Sequence, residues 1–291
     1  MREVMSDKNV MLTVNKSVLN GSESVLDDSE SALNGSGHVL NDSEPVLSGS
    51  ESVLNDRESV LNGSEPVLGD NKATFGAKRA LFYLVRHGQS EGNAREIILG
   101  HTDLGLTELG LRQAECTADA LATVKFDRIY SSDLLRAMQT AEPNARKRGM
   151  VVEPEARLRE IFCGDWDGKS VKEIAEKQHD LFFGPWRSIF GTFCMPNGES
   201  VPHLAERIYD CLADLGRRHL GEVVLCATHA AAIRAFWGKI SGIEPELLGK
   251  TLPFPSNASY SIVEFDGERF TPVKYSCDEH FVEDGMKTQL L

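Results

Sequence analysis

The chain has 291 residues, a formal net charge of −13 and 41 % hydrophobic residues, a length that suits one large domain or two small ones. Tight basic groups such as Arg146-Lys147-Arg148 and Arg217-Arg218 are few, which argues against nucleic-acid binding, since a phosphate backbone is held by clustered Lys and Arg that release counterions. No run of about 18 apolar residues occurs, so no membrane-spanning helix and no membrane partner are expected.

Those averages conceal a division. Residues 1–72 contain no Phe, Tyr or Trp and carry 13 acidic against 5 basic residues, whereas residues 73–291 carry 31 against 26. From Ser17 the first segment repeats every seven residues, as in Ser17–Glu23 (SVLNGSE) and Ser24–Glu30 (SVLDDSE). A coiled coil needs apolar positions three or four apart. Here Val and Leu are adjacent, and the intervening Asn, Asp, Gly, Ser and Glu are residues that favour turns and caps. Pro45 and Pro66 interrupt further. Two apolar residues in seven do not offset ordering entropy. Residues 1–72 are therefore expected to be a disordered low-complexity tail with no catalytic role, its V-L pairs being the one feature that suits an unidentified partner.

Residues 73–291 have the patterning of a catalytic-sized domain. Ala80–Arg86 (ALFYLVR) is an apolar run, expected as a buried strand. A helix follows Thr107, with Leu111, Ala114, Ala118, Leu121 and Val124 on one face. Arg128–Ser131 is expected as a strand, then a helix from about Asp133 containing Pro143. Val151–Glu153 and Leu158–Ile161 have an extended pattern. A long helix is expected over Val201–His219, a strand over Glu222–Thr228, and a helix over Ala230–Ile240. Ser259–Phe265 and Arg269–Tyr275 suit a hairpin across Asp266-Gly267. This order predicts a three-layer α/β/α domain with a mostly parallel central sheet. Six cysteines without a C-x-x-C, behind a start that lacks the n- and h-regions of a signal, predict reduced thiols in a cytoplasmic protein. Cys277 and His280 have no second pair at ligand spacing, so no metal site is expected.

Ligands of such sheets bind at the carboxyl ends of strands, which directs attention to three loops. After the first strand stands Arg86-His87-Gly88-Gln89-Ser90-Glu91-Gly92-Asn93, a cation and an imidazole followed by glycines that admit close backbone approach. After the second come Ser131-Ser132-Asp133 and then Arg136. After the later strand comes Thr228-His229. Each is a weak signal alone; three at strand ends are not.

The stretches RHGQSEGN (86–93), GHTDLGLTELG (100–110), SSDLLRAMQTA (131–141), LREIFCGDWDG (158–168), NGES (197–200), ATHAAAIR (227–234) and PSNAS (255–259) together resemble the histidine phosphatase (phosphoglycerate-mutase-like) superfamily. The resemblance implies that His87 attacks phosphorus to give a phosphohistidine, and that Arg86 and Arg136 clamp the phosphoryl oxygens. His229 and Asn93 would donate to the same group, Gly88 and Ala230 would line it, and Glu160 would protonate the leaving oxygen and later activate water. An acid of that kind needs a desolvated carboxyl. Two guanidiniums and an imidazole supply the positive charge, so no metal and no cofactor are implied. The family usually has glycines where this chain has Ala230 and Ala231. In the first turn of a helix, their expected place, alanine is favourable.

The resemblance is to the phosphatase branch, because the 69 positions from Glu160 to His229 lack the long insertion that mutases tend to carry there, and no tryptophan follows the Arg-His-Gly triplet. A small phosphorylated metabolite is the expected substrate, for a metal-independent acid-type phosphatase. The apolar stretch 181–195, with Leu181, Phe182, Phe183, Trp186, Ile189, Phe190 and Phe193 around Arg187, suits either a lid or the core of a small helical cap. Trp166 is expected in packing, His101 at the pocket entrance, and His179, His203, His219 and His280 at the surface or on helices. The alternatives are phosphoglycerate-mutase-type transfer, and a non-catalytic protein that binds phosphorylated ligands and is recruited by its tail.

Overall fold

A computed structural model describes residues 78–179, 191–283 and 285–288. The repeat segment 1–72 and the 181–190 part of the apolar stretch lie outside the described residues. The strands are β1 (Ala80–Arg86), β2 (Arg128–Ser131), β3 (Glu153–Pro154), β4 (Val223–Thr228), β5 (Tyr260–Phe265) and β6 (Phe270–Cys277), in one sheet of order β3-β2-β4-β1-β5-β6. β3, β2, β4 and β1 are mutually parallel, whereas β5 runs antiparallel to β1 and to β6. The expected hairpin is therefore the sheet's antiparallel edge, its turn held by Asp266 Oδ1, which accepts from Glu268 N and Arg269 N.

β1 is apolar throughout because both its faces are covered. Phe82 and Leu84 enter one core with Leu204, Ile208, Leu212 and Phe236, while Tyr83 and Val85 enter a second with Leu121, Phe126, Ala137 and Ala141. The first core underlies the helices α5 (Val201–Arg218) and α6 (Ala230–Ile240), the second α2 (Glu108–Ala120) and α3 (Leu135–Arg148). These are the two helical layers. The smaller helices are α1 (Glu91–Ala94), α4 (Val171–Lys177) and α7 (Pro245–Thr251); the last two have no strong apolar period and were not expected.

Several expectations need correction. Leu111 is 45 % exposed although it shares the apolar period of α2. Leu158–Ile161 does not form a strand: a single 3-10 turn spans Ala156–Leu158, and an irregular segment follows. His219, expected at the surface or on a helix, stands at the end of α5 but is buried, with Nδ1 2.8 Å from Glu222 Oε2 and Nε2 2.9 Å from the Tyr130 hydroxyl. Pro143 sits inside α3, which ends on Gly149 in the left-handed region (φ 64°) behind Arg146, Lys147 and Arg148. Those three cations favour the negative helix end; Arg146 and Lys147 also pair with Glu115 on α2.

Candidate active site

The parallel register of β1, β4 and β2 aligns their carboxyl ends: Arg86 pairs with Thr228, and Ser131 with Ala227. Residues that follow each strand therefore meet. Arg86, His87, Arg136, Glu160 and His229 are each at most 6 % exposed, and the rings of His87 and His229 lie 5.2 Å apart. Of the expected residues, these five form one buried cluster.

His87 is fixed through its backbone. Its N–H donates to Thr228 O at 2.9 Å, and its carbonyl accepts from Ala258 N and from Asn257 Nδ2. Nδ1 lies 2.7 Å from Gly88 O. A carbonyl only accepts, so Nδ1 carries the proton and Nε2 keeps its lone pair. Burial pushes the imidazole well below its usual value, and the charges of Arg136 and Arg86 push it further. The result is a neutral ring with a free nitrogen, the form a nucleophile requires.

His229 caps α6, with Nε2 2.9 Å from Ser132 Oγ. That hydroxyl oxygen also accepts from Leu134 N and still has its own proton to give to His229 Nε2. In that arrangement Nδ1 bears the hydrogen. Burial and the neighbouring Arg136 hold this imidazole neutral as well.

The two guanidiniums are held at one end and free at the other. Arg86 Nη1 donates to Pro255 O, while Arg136 Nη1 and Nη2 donate at 2.9 Å to Thr102 O and Gly100 O. Arg86 Nε and Nη2, Arg136 Nε and His229 Nδ1 are buried with no partner among the described residues. Each such group would cost on the order of 1–3 kcal/mol in a site with no function. Burial lowers the Arg86 guanidinium to about 10, the carboxylate of Glu160 opposing it, so it stays charged at neutral pH. Asp167 organises the loop that holds Arg136. Its Oδ1 accepts from Gly100 N and Thr102 N and its Oδ2 from His101 N, so the carbonyls of Gly100 and Thr102 are left to receive the guanidinium.

Glu160 projects from the irregular segment onto the start of α6. Oε1 accepts from Ile161 N at 2.9 Å and from Ala232 N at 3.1 Å, and Oε2 from Ala231 N at 3.1 Å. Burial raises this carboxyl, and its hydrogen bonds and the two arginines only partly offset the rise. Oε2 has the fewer partners and the freer lone pair for a proton. Ala230 and Ala231 lie in the first turn of α6 and neither has positive φ, so they carry no backbone strain. The Ala230 N–H donates to none of the described residues.

Two expected lining residues also serve the local fold. Gly88 donates its N–H to Thr140 Oγ1 at 3.0 Å and so does not offer it to a ligand. It is glycine because an added Cβ would stand 2.5 Å from Gly110 O. Asn93 caps its own turn: Oδ1 accepts from Ser90 N and from Asn257 Nδ2, which places its amide beside the residue that holds the His87 backbone. His101 does lie against the cluster, with Nε2 3.1 Å from Glu160 O. Trp166 is fully buried and packs on Phe193.

Fold and cluster together define an anion cage, cationic and neutral donors around a free imidazole nitrogen, at the carboxyl ends of a mostly parallel sheet. The profile of the histidine phosphatase superfamily (branch 1) matches residues 82–278, and the chain belongs to that superfamily. Phosphoserine phosphatase 1 of Hydrogenobacter thermophilus is 32 % identical over 201 residues, covering 69 % of this chain and 93 % of that protein. The metal-independent phosphoserine phosphatase of Arabidopsis thaliana is also 32 % identical, over 69 % of this chain and 83 % of its own length. A mycobacterial glucosyl-3-phosphoglycerate phosphatase, solved in complex with VO3, superposes with a TM-score of 0.63 at 28 % identity, covering 69 % of this chain and all of that one.

Proposed function

We propose that this chain hydrolyses small phosphomonoesters without a metal, by way of a phosphohistidine on His87. The unpartnered buried donors of Arg86, Arg136 and His229 beside a neutral His87 carry this reading. Nε2 of His87 attacks phosphorus, and the P–O bond to the leaving group breaks. Arg86 and Arg136 neutralise the equatorial oxygens, which is where phosphoryl transfer gains most, and His229 Nδ1–H and the Ala230 N–H add neutral donors. Glu160, protonated on Oε2, gives its proton to the departing oxygen. It then takes one from the water that attacks the phosphohistidine, so that phosphate leaves and both residues return to their starting forms. The relatives' names support a metal-independent hydrolase, and phosphoserine and sugar-linked phosphates are the classes they suggest for a first substrate panel.

The test is hydrolysis of 4-nitrophenyl phosphate with excess chelator. Turnover should survive the chelator, fall by about 10⁴-fold or more in His87→Ala, and pass through an acid-labile phosphate on His87. Transfer of that phosphate to 3-phosphoglycerate faster than to water would make the chain a mutase. Absence of turnover in the wild type would leave it a binding protein.

A further inference from the structure

Glu160 has to be held to within a fraction of an ångström, yet it sits on a segment with no strand or helix to hold it. Thr228 Oγ1 donates to Leu158 O and His101 Nε2 lies 3.1 Å from Glu160 O, and one further pair of side chains binds the segment on both sides of Glu160. Arg207, on the buried side of α5, donates Nη1 to Arg157 O at 2.8 Å and to Arg159 O at 3.0 Å, and Nη2 to Glu160 O at 3.1 Å. One guanidinium thus gathers three carbonyls around the residue that carries the carboxyl. Arg207 is itself clamped by Glu199, through Nε to Oε1 at 2.9 Å and Nη2 to Oε2 at 2.7 Å. Glu199 closes the circuit on the far side of Glu160: its N–H donates to Phe162 O at 2.8 Å, and its carboxylate accepts from Phe162 N at 3.3 Å. The two side chains are only 8 % and 19 % exposed. Burial is the largest influence on the Glu199 carboxyl and pushes it up, but the hydrogen bond and charge of Arg207, with the Phe162 N–H and His203, together outweigh it and hold the group below the ordinary value, as a carboxylate. A buried ion pair of this geometry contributes little net stability against an apolar substitute. Its value lies in direction, because a planar five-donor fork fixes several carbonyls at once where an ammonium would not.

We infer that the Arg207–Glu199 pair is a positioning device for Glu160, setting the distance from its carboxyl to the leaving oxygen without touching substrate. The inference rests on the proposed acid role of Glu160 and has a signature that a general structural role lacks. Protonation matters when the leaving group is a poor one, an alkoxide, and hardly at all when it is a nitrophenolate. kcat/KM reports transfer to His87 and not the later hydrolysis, so it isolates that step.

The experiment compares wild type, Arg207→Lys, Glu199→Gln and Glu160→Gln on 4-nitrophenyl phosphate and on the alkyl phosphate that the wild type turns over fastest. General acids contribute about 10²–10⁴-fold. Arg207→Lys should lower kcat/KM about ten- to a hundredfold on the alkyl ester and only a few-fold on the aryl ester, with Glu199→Gln following in smaller measure. In a Glu160→Gln background, Arg207→Lys should add almost nothing, since residues that act through one another are not additive. Equal losses on both esters, no loss on either, or full additivity with Glu160→Gln would each overturn the positioning role. If Arg207→Lys does not fold, the same comparison is read from Glu199→Gln. If Glu160→Gln itself shows no leaving-group preference while His87→Ala is inactive, the acid role of Glu160 falls, and the positioning role with it.

Discussion

Two buried histidines bracket β4, and their surroundings differ in one respect. His219 precedes the strand, and both of its ring nitrogens are matched, by Glu222 and Tyr130. His229 follows the strand, and one of its nitrogens has no partner among the described residues. Five buried side-chain polar atoms lack a partner among the described residues, and four of them belong to Arg86, Arg136 and His229. Both neighbourhoods are polar and buried. Only one leaves its hydrogen-bonding capacity unspent, and unspent capacity in a buried place distinguishes a binding site from a structural latch.

The sharpest way to break this contrast is Arg136→Lys. A lysine keeps the charge but loses the fork that grips Gly100 O and Thr102 O while presenting Nε. A fall of about 10²–10³-fold in turnover is expected, comparable with loss of one transition-state donor, together with weaker inhibition by inorganic phosphate. A variant that keeps both would show that the orphan donors are not used. The second probe is pH. In the proposed mechanism, transfer needs His87 neutral and Glu160 protonated. His87 is held well below 6.5, so the acid-side fall in kcat/KM should begin below that value. Glu160 is held above 4.5, so the alkaline-side fall for alkyl esters should lie above it. With an aryl ester that needs no acid, the alkaline fall should vanish once the substrate's own second ionisation near pH 6 is allowed for; a profile identical for both esters would remove Glu160 from the first step.

Smaller effects should come from the supports. Asp167→Asn replaces one accepting oxygen with a donor that faces the N–H groups of residues 100–102, loosening the carbonyls that hold Arg136. A rise of about ten- to a hundredfold in the phosphate inhibition constant is expected, given the cost of sub-ångström misplacement; an unchanged constant would mean that Arg136 is positioned without this loop. At the other end of β4, His219→Gln should leave turnover within about twofold of wild type. It should cost roughly 1–2 kcal/mol in a chemical-denaturation measurement, because it removes matched bonds and the ring contact with Tyr130. A loss of activity there, without a loss of stability, would erase the distinction between the two histidines.

How far the sequence carried this depended on where each residue's partners lie. Strand β1, its seven-residue apolar run and the Arg86-His87 pair at its end are local facts, and they were legible as such. So were β4 with His229 and β2 with Arg136, since the carboxyl-end rule needs only the order of elements. Glu160 was legible only through the family resemblance; its neighbours in sequence do not show that burial raises it, because the burying atoms come from α6. The reason that Gly88 is glycine was not legible, because the atom that forbids a side chain there, Gly110 O, lies in another element. Arg207, Glu199 and Asp167 were missed altogether. An arginine on an amphipathic helix and an aspartate in a loop are ordinary in sequence, and only the folded chain puts three carbonyls in front of the first and three amides in front of the second. The NGES and GDWDG stretches that contain Glu199 and Asp167 were the available signals, though what they hold in place was not readable from them.

β1 lies inside the sheet, paired along its length with β4 on one side and β5 on the other. Local opening events that expose loops and sheet edges do not reach such a strand, so its amides should exchange with solvent deuterium only through global unfolding. His87, the proposed nucleophile at its end, is thereby anchored to the slowest-exchanging part of the domain. Substrate entry and product release must then be accommodated by the loops around His87, while the imidazole stays where the strand puts it.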